Sequence, residues 1–313
     1  MAPFDLRPLG GTGLKVTGVC LGTAPLGDMA GTFEVPGEAR AVATVHAALA
    51  SPIRFLDTAA GYGDGKSEER IGVALREAGG LPEGVVIGTK ADPDAKTGDF
   101  SGDQCRRSIE RSRQLLGLDH LPLVHLHDPE YHDEATLTQP GGAIDVLLEY
   151  QKAGIIGAVG VGGGTISVMR RFLALGVFQV MLTHNRYNLI NRSGEALIDD
   201  AVGRGVAVMN AAIYGGGLLA RGPGDRPTFM YKEATEQTLS HARSYEELCQ
   251  RNGIPIAAAA LQFSLRDPRI SSTVVGTSRP ERVAEIVAHA TEVIPDSFWE
   301  ELATLPWSTI EGV

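Results

Sequence analysis

Eight short runs of β-branched or aliphatic residues, with helix-length segments between most neighbours, constrain this sequence more than any other feature. The runs lie near Val19–Leu21, Ile53–Leu56, Val85–Ile87, Leu123–Leu126, Ile155–Val161, Phe178–Leu182, Val206–Met209 and Thr273–Val275. The intervening segments include Glu38–Ala50, Ser67–Ala78, Ser101–Leu116, Gly142–Ala153, Thr165–Leu175, Gly194–Gly203 and Ile256–Asp267. Strands that alternate with helices build a parallel sheet, because each crossover returns the chain to the same end, and eight such units can close it. The expectation is an α/β fold, a (β/α)8 barrel of the TIM type, with residues 1–313 as one domain.

Local punctuation supports that register. Ser101-Gly-Asp-Gln104 and Ser278-Arg-Pro-Glu281 both match a capping box, the second with Pro280 in the first turn. Gly154, Gly176 and Gly205 follow helical segments, where a left-handed C-terminal cap belongs. The opening Phe4–Gly18 has two extended pieces around a Gly-rich turn and is read as a hairpin covering the barrel bottom. A Gly/Pro-rich irregular stretch is expected from Tyr214 to Tyr231, then an added polar helix over Tyr231–Asn252. Trp299 and Trp307, in the tail, could cover the mouth or close the last helix, and the second reading is preferred.

Composition narrows the function. The net charge is −10 with basic residues scattered, which argues against a nucleic-acid partner. Three widely spaced cysteines, Cys20, Cys105 and Cys249, offer neither a disulfide framework nor a zinc spacing. The N-terminus lacks a signal-like pattern and no apolar run reaches membrane-spanning length, so a cytoplasmic protein is expected.

Four polar residues then stand out, each at or just after a strand: Asp57-Thr-Ala-Ala-Gly-Tyr62, Val85-Val-Ile-Gly-Thr-Lys90 and Leu123-Val-His-Leu-His127. Consecutive parallel strands would deliver them to one end of the barrel, where barrel enzymes place their chemistry. A Lys ammonium favours a neighbouring phenolate and an Asp can fix that Lys, so Tyr62 is expected as a general acid and base with a lowered pKa. Asp57 and Lys90 could alternatively form only a salt bridge. His125 and His127 share a strand face, and His-x-His is also a metal-ligand spacing, which keeps a metal-dependent barrel hydrolase open with His184 as a further ligand. A Schiff-base lyase through Lys90 would need that lysine neutral, which Asp57 opposes. The preferred reading has no metal.

This constellation resembles the aldo-keto reductase family from Leu9-Gly-Gly-Thr-Gly-Leu-Lys-Val16 to Gly276-Thr-Ser-Arg-Pro-Glu-Arg282. The resemblance implies Tyr62 as proton donor or acceptor, Lys90 as its tuner, Asp57 as the support of Lys90, and His127 as the group orienting substrate oxygen. It implies NAD or NADP as cofactor, contacting Gly22, Thr23, Asp57, Gly162, Gly163, His184, Asn185, Ala211, Gly217, Leu218, Gly276, Thr277, Ser278, Arg279 and Arg282. The family's usual carboxamide-binding Ser and Asn are Gly162 and Gly163 here, and its stacking Tyr is Ala211, with Tyr214 nearby. A frequent phosphate-binding Lys is Gly276 and a helix Asn is Ile286, which favours NAD. The motifs Leu21-Gly-Thr-Ala-Pro-Leu-Gly27, Gly61-Tyr-Gly-Asp-Gly-Lys-Ser-Glu68, His127-Asp-Pro-Glu130 and Asn210–Ala220 resemble the aldose 1-dehydrogenase branch. That branch implies oxidation at C1 of an L-fucose, L-galactose or D-arabinose type sugar, with Tyr62, His127, His125 and Tyr131 near the substrate and Asp128 and Asn185 available to its hydroxyls. Pyridoxal oxidation, general aldehyde reduction and a non-enzymatic regulatory role stand as alternatives. Oligomeric state is left open.

Overall fold

The computed structural model describes residues 1–222, 227–230 and 232–311. In chain order the elements are β1 (Arg7–Pro8), β2 (Lys15–Val16), β3 (Val19–Gly22), α1 (Glu38–Ala50), β4 (Phe55–Asp57), α2 (Lys66–Glu77), β5 (Val86–Ala91) and α3 (Gly102–Leu116). There follow β6 (Leu121–His127), α4 (Glu134–Thr138), α5 (Ala143–Lys152), β7 (Ile156–Gly163), α6 (Ile166–Ala174), β8 (Val180–His184), α7 (Glu195–Gly203) and β9 (Ala207–Ala211). The chain ends with α8 (Leu218–Arg221), β10 (Thr228–Phe229), β11 (Lys232–Glu233), α9 (Glu236–Arg251), α10 (Ile256–Leu265), β12 (Ile270–Gly276), α11 (Glu281–Thr291) and α12 (Asp296–Leu302).

Strands β3 to β9 and β12 form a closed parallel barrel, sealed where Gly276 of β12 pairs Gly22 of β3. The period-two alternation of strand side chains sorts the core into two shells. Cys20, Phe55, Leu123, Ala158, Val180, Met209 and Val274 fill the barrel, while Leu21, Leu56, Ile87, Val124, Val159, Met181 and Val275 face the surrounding helices. Each fully buried Leu, Val or Phe contributes roughly 1.5–3 kcal/mol relative to exposure. A third apolar cluster joins α8, α9, α10 and α12 through Leu219, Tyr245, Leu248, Ala259 and Phe298.

β1 and β2 pair antiparallel, and their flanking Leu9 and Val16 join the cluster inside the barrel, so the hairpin plugs its N-terminal end as the sequence implied. Several strands extend past their apolar runs into the polar C-terminal rim, β5 through Lys90 and β7 through Gly163. Ser101 caps α3 by accepting from the Gln104 N–H, but the Gln104 amide turns to the Asp92 carbonyl, so the box is half formed. At α11 no capping box forms. Pro280 occupies the cap position, and the Thr277 hydroxyl accepts from the Arg279 N–H instead.

The stretch expected to be irregular holds a three-residue turn at Gly215–Gly217, the short α8 and a two-stranded ribbon of β10 and β11. The added helix starts at Glu236, behind a Thr235 cap, and not at Tyr231. Residues 223–226 and 231 of those expected segments lie outside the described residues. In the tail, Trp299 packs edge-on against Phe298, whereas the Arg192 guanidinium lies over the rings of both Trp307 and Phe263, 4.8 Å from each centroid. Trp307 thus fastens the tail to the loop after β8. Among the described residues no helix is long and apolar enough to cross a membrane.

Candidate active site

Parallel register brings the ends of β4, β5 and β6 together: Asp57 pairs Gly88, and Lys90 pairs His125 two residues before His127. The loop from β4 into α2 then carries Tyr62 back over this rim. The Lys90 ammonium donates to Asp57 Oδ2 at 2.7 Å, to the Thr58 carbonyl at 2.7 Å and to the Tyr62 hydroxyl at 3.1 Å. Its three N–H donors are therefore committed, and its position is fixed. His127 stands edge-on to Tyr62, ring centroids 5.6 Å apart.

Asp92 is the residue that sequence reasoning missed. One carboxylate oxygen meets His127 Nδ1 at 2.5 Å and the other accepts from the Gly61 N–H at 2.6 Å, so it locks both the imidazole and the loop carrying Tyr62. With a carboxylate on Nδ1, the proton sits there and Nε2 is presented to the cavity. The only sequence signal was its position two residues after Lys90.

The electrostatics differ from the sequence expectation in one respect. Burial pushes the Tyr62 phenol above its ordinary pKa; Lys90 pulls it down, Asp57 adds to the rise, and the net shift is upward. Tyr62 is therefore a protonated phenol at neutral pH. Burial would also lower Lys90, but Asp57 and Tyr62 outweigh it and keep it an ammonium, which removes the nucleophilic-lysine reading. Burial alone would lower His127, yet Asp92 and Asp128 raise it. Desolvation would raise Asp128, but His127 and His184 hold it down at about 2.

A cavity of about 750 Å³ opens over this rim, within the size range of cofactor and substrate sites. It is lined by Gly22, Thr23, Asp57, Tyr62, Lys90, His127, Asp128, Tyr131, Gly162, His184, Ala211, Gly217, Gly276, Thr277, Ser278, Arg279 and Arg282, with Tyr214 beside Ala211. Four expected contacts lie elsewhere. His125 is fully buried one layer below His127, its ring filling the space left by the missing side chain of Gly160, and burial drives its pKa well down. Gly163 points outward, where a Cβ would collide with the Glu130 carboxylate, because the strand alternates and Gly162 faces in. Asn185, at φ +61°, turns its amide behind the ring to His184 Nδ1 at 3.2 Å. Leu218 belongs to the apolar cluster under α8. Ile286 is likewise buried in the core.

His125 and His127 do not come together as ligands. Among the described residues, the one group with metal-ligand spacing is Asp128, Glu130 and His184, and one Glu130 oxygen already accepts the Gly164 and Thr165 N–H groups.

Residues 18–305 match the Aldo/keto reductase family model. The chain belongs to the aldo/keto reductase family. It is 32% identical to pyridoxal 4-dehydrogenase of Microbacterium luteolum over 95% of this chain and 96% of that one. It is 31% identical to L-galactose dehydrogenase of Arabidopsis thaliana over 94% and 90% of the two chains. The fold superposes on an aldo-keto reductase of Bacillus halodurans with a TM-score of 0.81, covering 98% of each chain at 20% identity.

Aldo-keto reductases are oxidoreductases that use NAD(P)H, and the cavity fits such a dinucleotide on its own features. It runs from Tyr62 and His127 to the N-terminus of α11, which has no side-chain cap, so its partial positive charge is open to an anion. Arg282 lines that end with no ion pair among the described residues. At Gly276 an added Cβ would meet Pro25 at 3.2 Å, so this wall is narrow there.

Proposed function

We propose that this aldo/keto reductase oxidises an aldose of the L-galactose, L-fucose or D-arabinose type at C1 to its lactone, using NAD in preference to NADP. The observation that carries the proposal is the Lys90 ammonium bonded at once to Asp57 and to Tyr62 beneath a cavity that also receives His127. The bound nicotinamide would take the hydride from C1. Gly22, Thr23, Gly162, His184, Ala211 and Gly217 would flank the dinucleotide, and Thr277, Ser278 and Arg282 at the start of α11 would hold its phosphates.

The protein supplies the proton path. As the phenolate, Tyr62 takes the C1 hydroxyl proton during oxidation, and as the phenol it gives a proton to the carbonyl oxygen in the reverse direction. Lys90 stabilises the phenolate as its charge develops, and Asp57 keeps Lys90 charged and placed. His127, held by Asp92, donates from Nε2 to the substrate oxygen when protonated. Asp128 is a carboxylate beside His127 and His184 at the mouth and can accept from sugar hydroxyls.

Similarity to pyridoxal 4-dehydrogenase favours a second reading, in which the oxidised alcohol is the hemiacetal of pyridoxal. A panel of L-galactose, L-fucose, D-arabinose and pyridoxal, each with NAD and with NADP, separates the two. Equimolar reduced nicotinamide and lactone from a free aldose, with the methyl glycoside inert, supports the proposal. Turnover of pyridoxal alone replaces it, and oxidation of the methyl glycoside places the reacting carbon elsewhere.

A further inference from the structure

The loop between β3 and α1 runs along one wall of the cavity, contributing Met29, Gly31, Thr32, Phe33 and Glu34. Glu34 reaches across to the opposite wall. Its Oε2 accepts from Arg279 Nε at 3.1 Å and Nη2 at 2.7 Å, while Oε1 accepts from Arg40 Nη2 at 2.9 Å. Arg279 sits between the β12 rim and the start of α11, beside Thr277 and Ser278. The pair therefore joins two loops 245 residues apart over the end of the cavity nearest the α11 N-terminus.

An exposed ion pair contributes little to stability, so its consequence lies in what it does to a ligand. The Nε–Nη2 edge of the guanidinium, one that could grip a phosphate bidentately, is already occupied by a carboxylate. That carboxylate also places a negative charge where a second anion would approach Arg279. A ribose 2′,3′-diol, by contrast, donates hydrogen bonds that a carboxylate accepts.

We propose that Glu34 is a specificity-determining residue that excludes a 2′-phosphate: it withholds Arg279 from the phosphate and offers its carboxylate to an unphosphorylated ribose. This rests on the dinucleotide reading above and adds a residue from the far wall, independent of Gly276. Losing Glu34 frees Arg279, and the free guanidinium then becomes the phosphate partner.

The test is calorimetric binding of NAD, NADP, 5′-AMP and 2′,5′-ADP to the full chain and to Glu34→Gln, Arg279→Ala and the double variant. Glu34→Gln is expected to tighten 2′,5′-ADP and NADP by about tenfold, the scale of one charge-assisted contact, and to weaken 5′-AMP slightly. The double variant is expected to lose the gain for the 2′-phosphates. Equal changes for phosphorylated and unphosphorylated ligands, no change in any, or a gain that survives in the double variant would each overturn the inference. Failure of all four ligands to bind the native protein would overturn the dinucleotide reading itself, and this inference with it. Because Glu34 and Arg279 are exposed, an unchanged melting temperature for each variant is the control for folding.

Discussion

In the proposed mechanism the chemistry turns on the one hydroxyl of Tyr62, and the surrounding charges set when it can act. Tyr62→Phe deletes that hydroxyl and leaves the cavity wall, so turnover is expected to fall roughly 10²–10⁴-fold while dinucleotide binding persists. Near-normal turnover in the purified variant would remove Tyr62 from the mechanism. Since burial holds the native phenol above its ordinary pKa, sugar oxidation should accelerate as pH rises and carbonyl reduction as it falls. Lys90 opposes the upward shift, so Lys90→Met should move the alkaline limb of the oxidation profile to still higher pH, read from kcat/KM against pH. A limb that stays in place would show that Lys90 positions without tuning. Asp57, Tyr62, Lys90 and His127 were legible in sequence because each follows an apolar run that must be a strand, and parallel strands share an end. His125, Gly163, Asn185 and Leu218 were not: His125 shares the face of His127 but lies a layer deeper, Asn185 turns away at φ +61°, Leu218 joins the apolar cluster under α8, and the facing of Gly163 depends on the register of its strand. A shift of one residue reverses the face.

On helix α2 the burial pattern has its own pH consequence. Glu68 packs against β5, accepting from the Thr89 hydroxyl at 2.5 Å, and burial pushes its pKa up to about 7. A carboxyl whose folded pKa exceeds its unfolded value gives its full contribution below about 4.3, and loses it as pH rises toward 7. Glu68→Gln removes the penalty of ionising in the fold. It should match the native protein in thermal unfolding at pH 4.5 and exceed it at pH 8, by on the order of a few kcal/mol if the Thr89 contact is kept. Equal stability at both values would show that Glu68 is not buried as a neutral acid. Helix α1 was readable to the residue, its span Glu38–Ala50 being the one read from the sequence. The half-formed box at Ser101 and the missing one at Ser278 were not, because Gln104 finds the Asp92 carbonyl and Pro280 takes the cap position, both tertiary outcomes.

The barrel as a whole was the most legible level, since eight alternating units leave few other closures. The structure of the segment after β9 was hidden by its Gly-rich composition, which permits a turn, a short helix and a ribbon without specifying them. Plugging of the barrel floor by Leu9 and Val16 leaves, among the described residues, the C-terminal rim as the open end of the barrel. Whatever enters over Tyr131 and Arg279 must leave by the same route, so two ligands cannot exchange independently. On the proposed reading the longer one would lie along the wall from Gly162 to Arg282, be seated before the smaller one covers its reactive end, and be released after it. Product-inhibition patterns should therefore show the reduced dinucleotide competing with its oxidised form and the lactone not competing with it. Random-order kinetics would mean that the wall opens during turnover, most simply by parting Glu34 from Arg279.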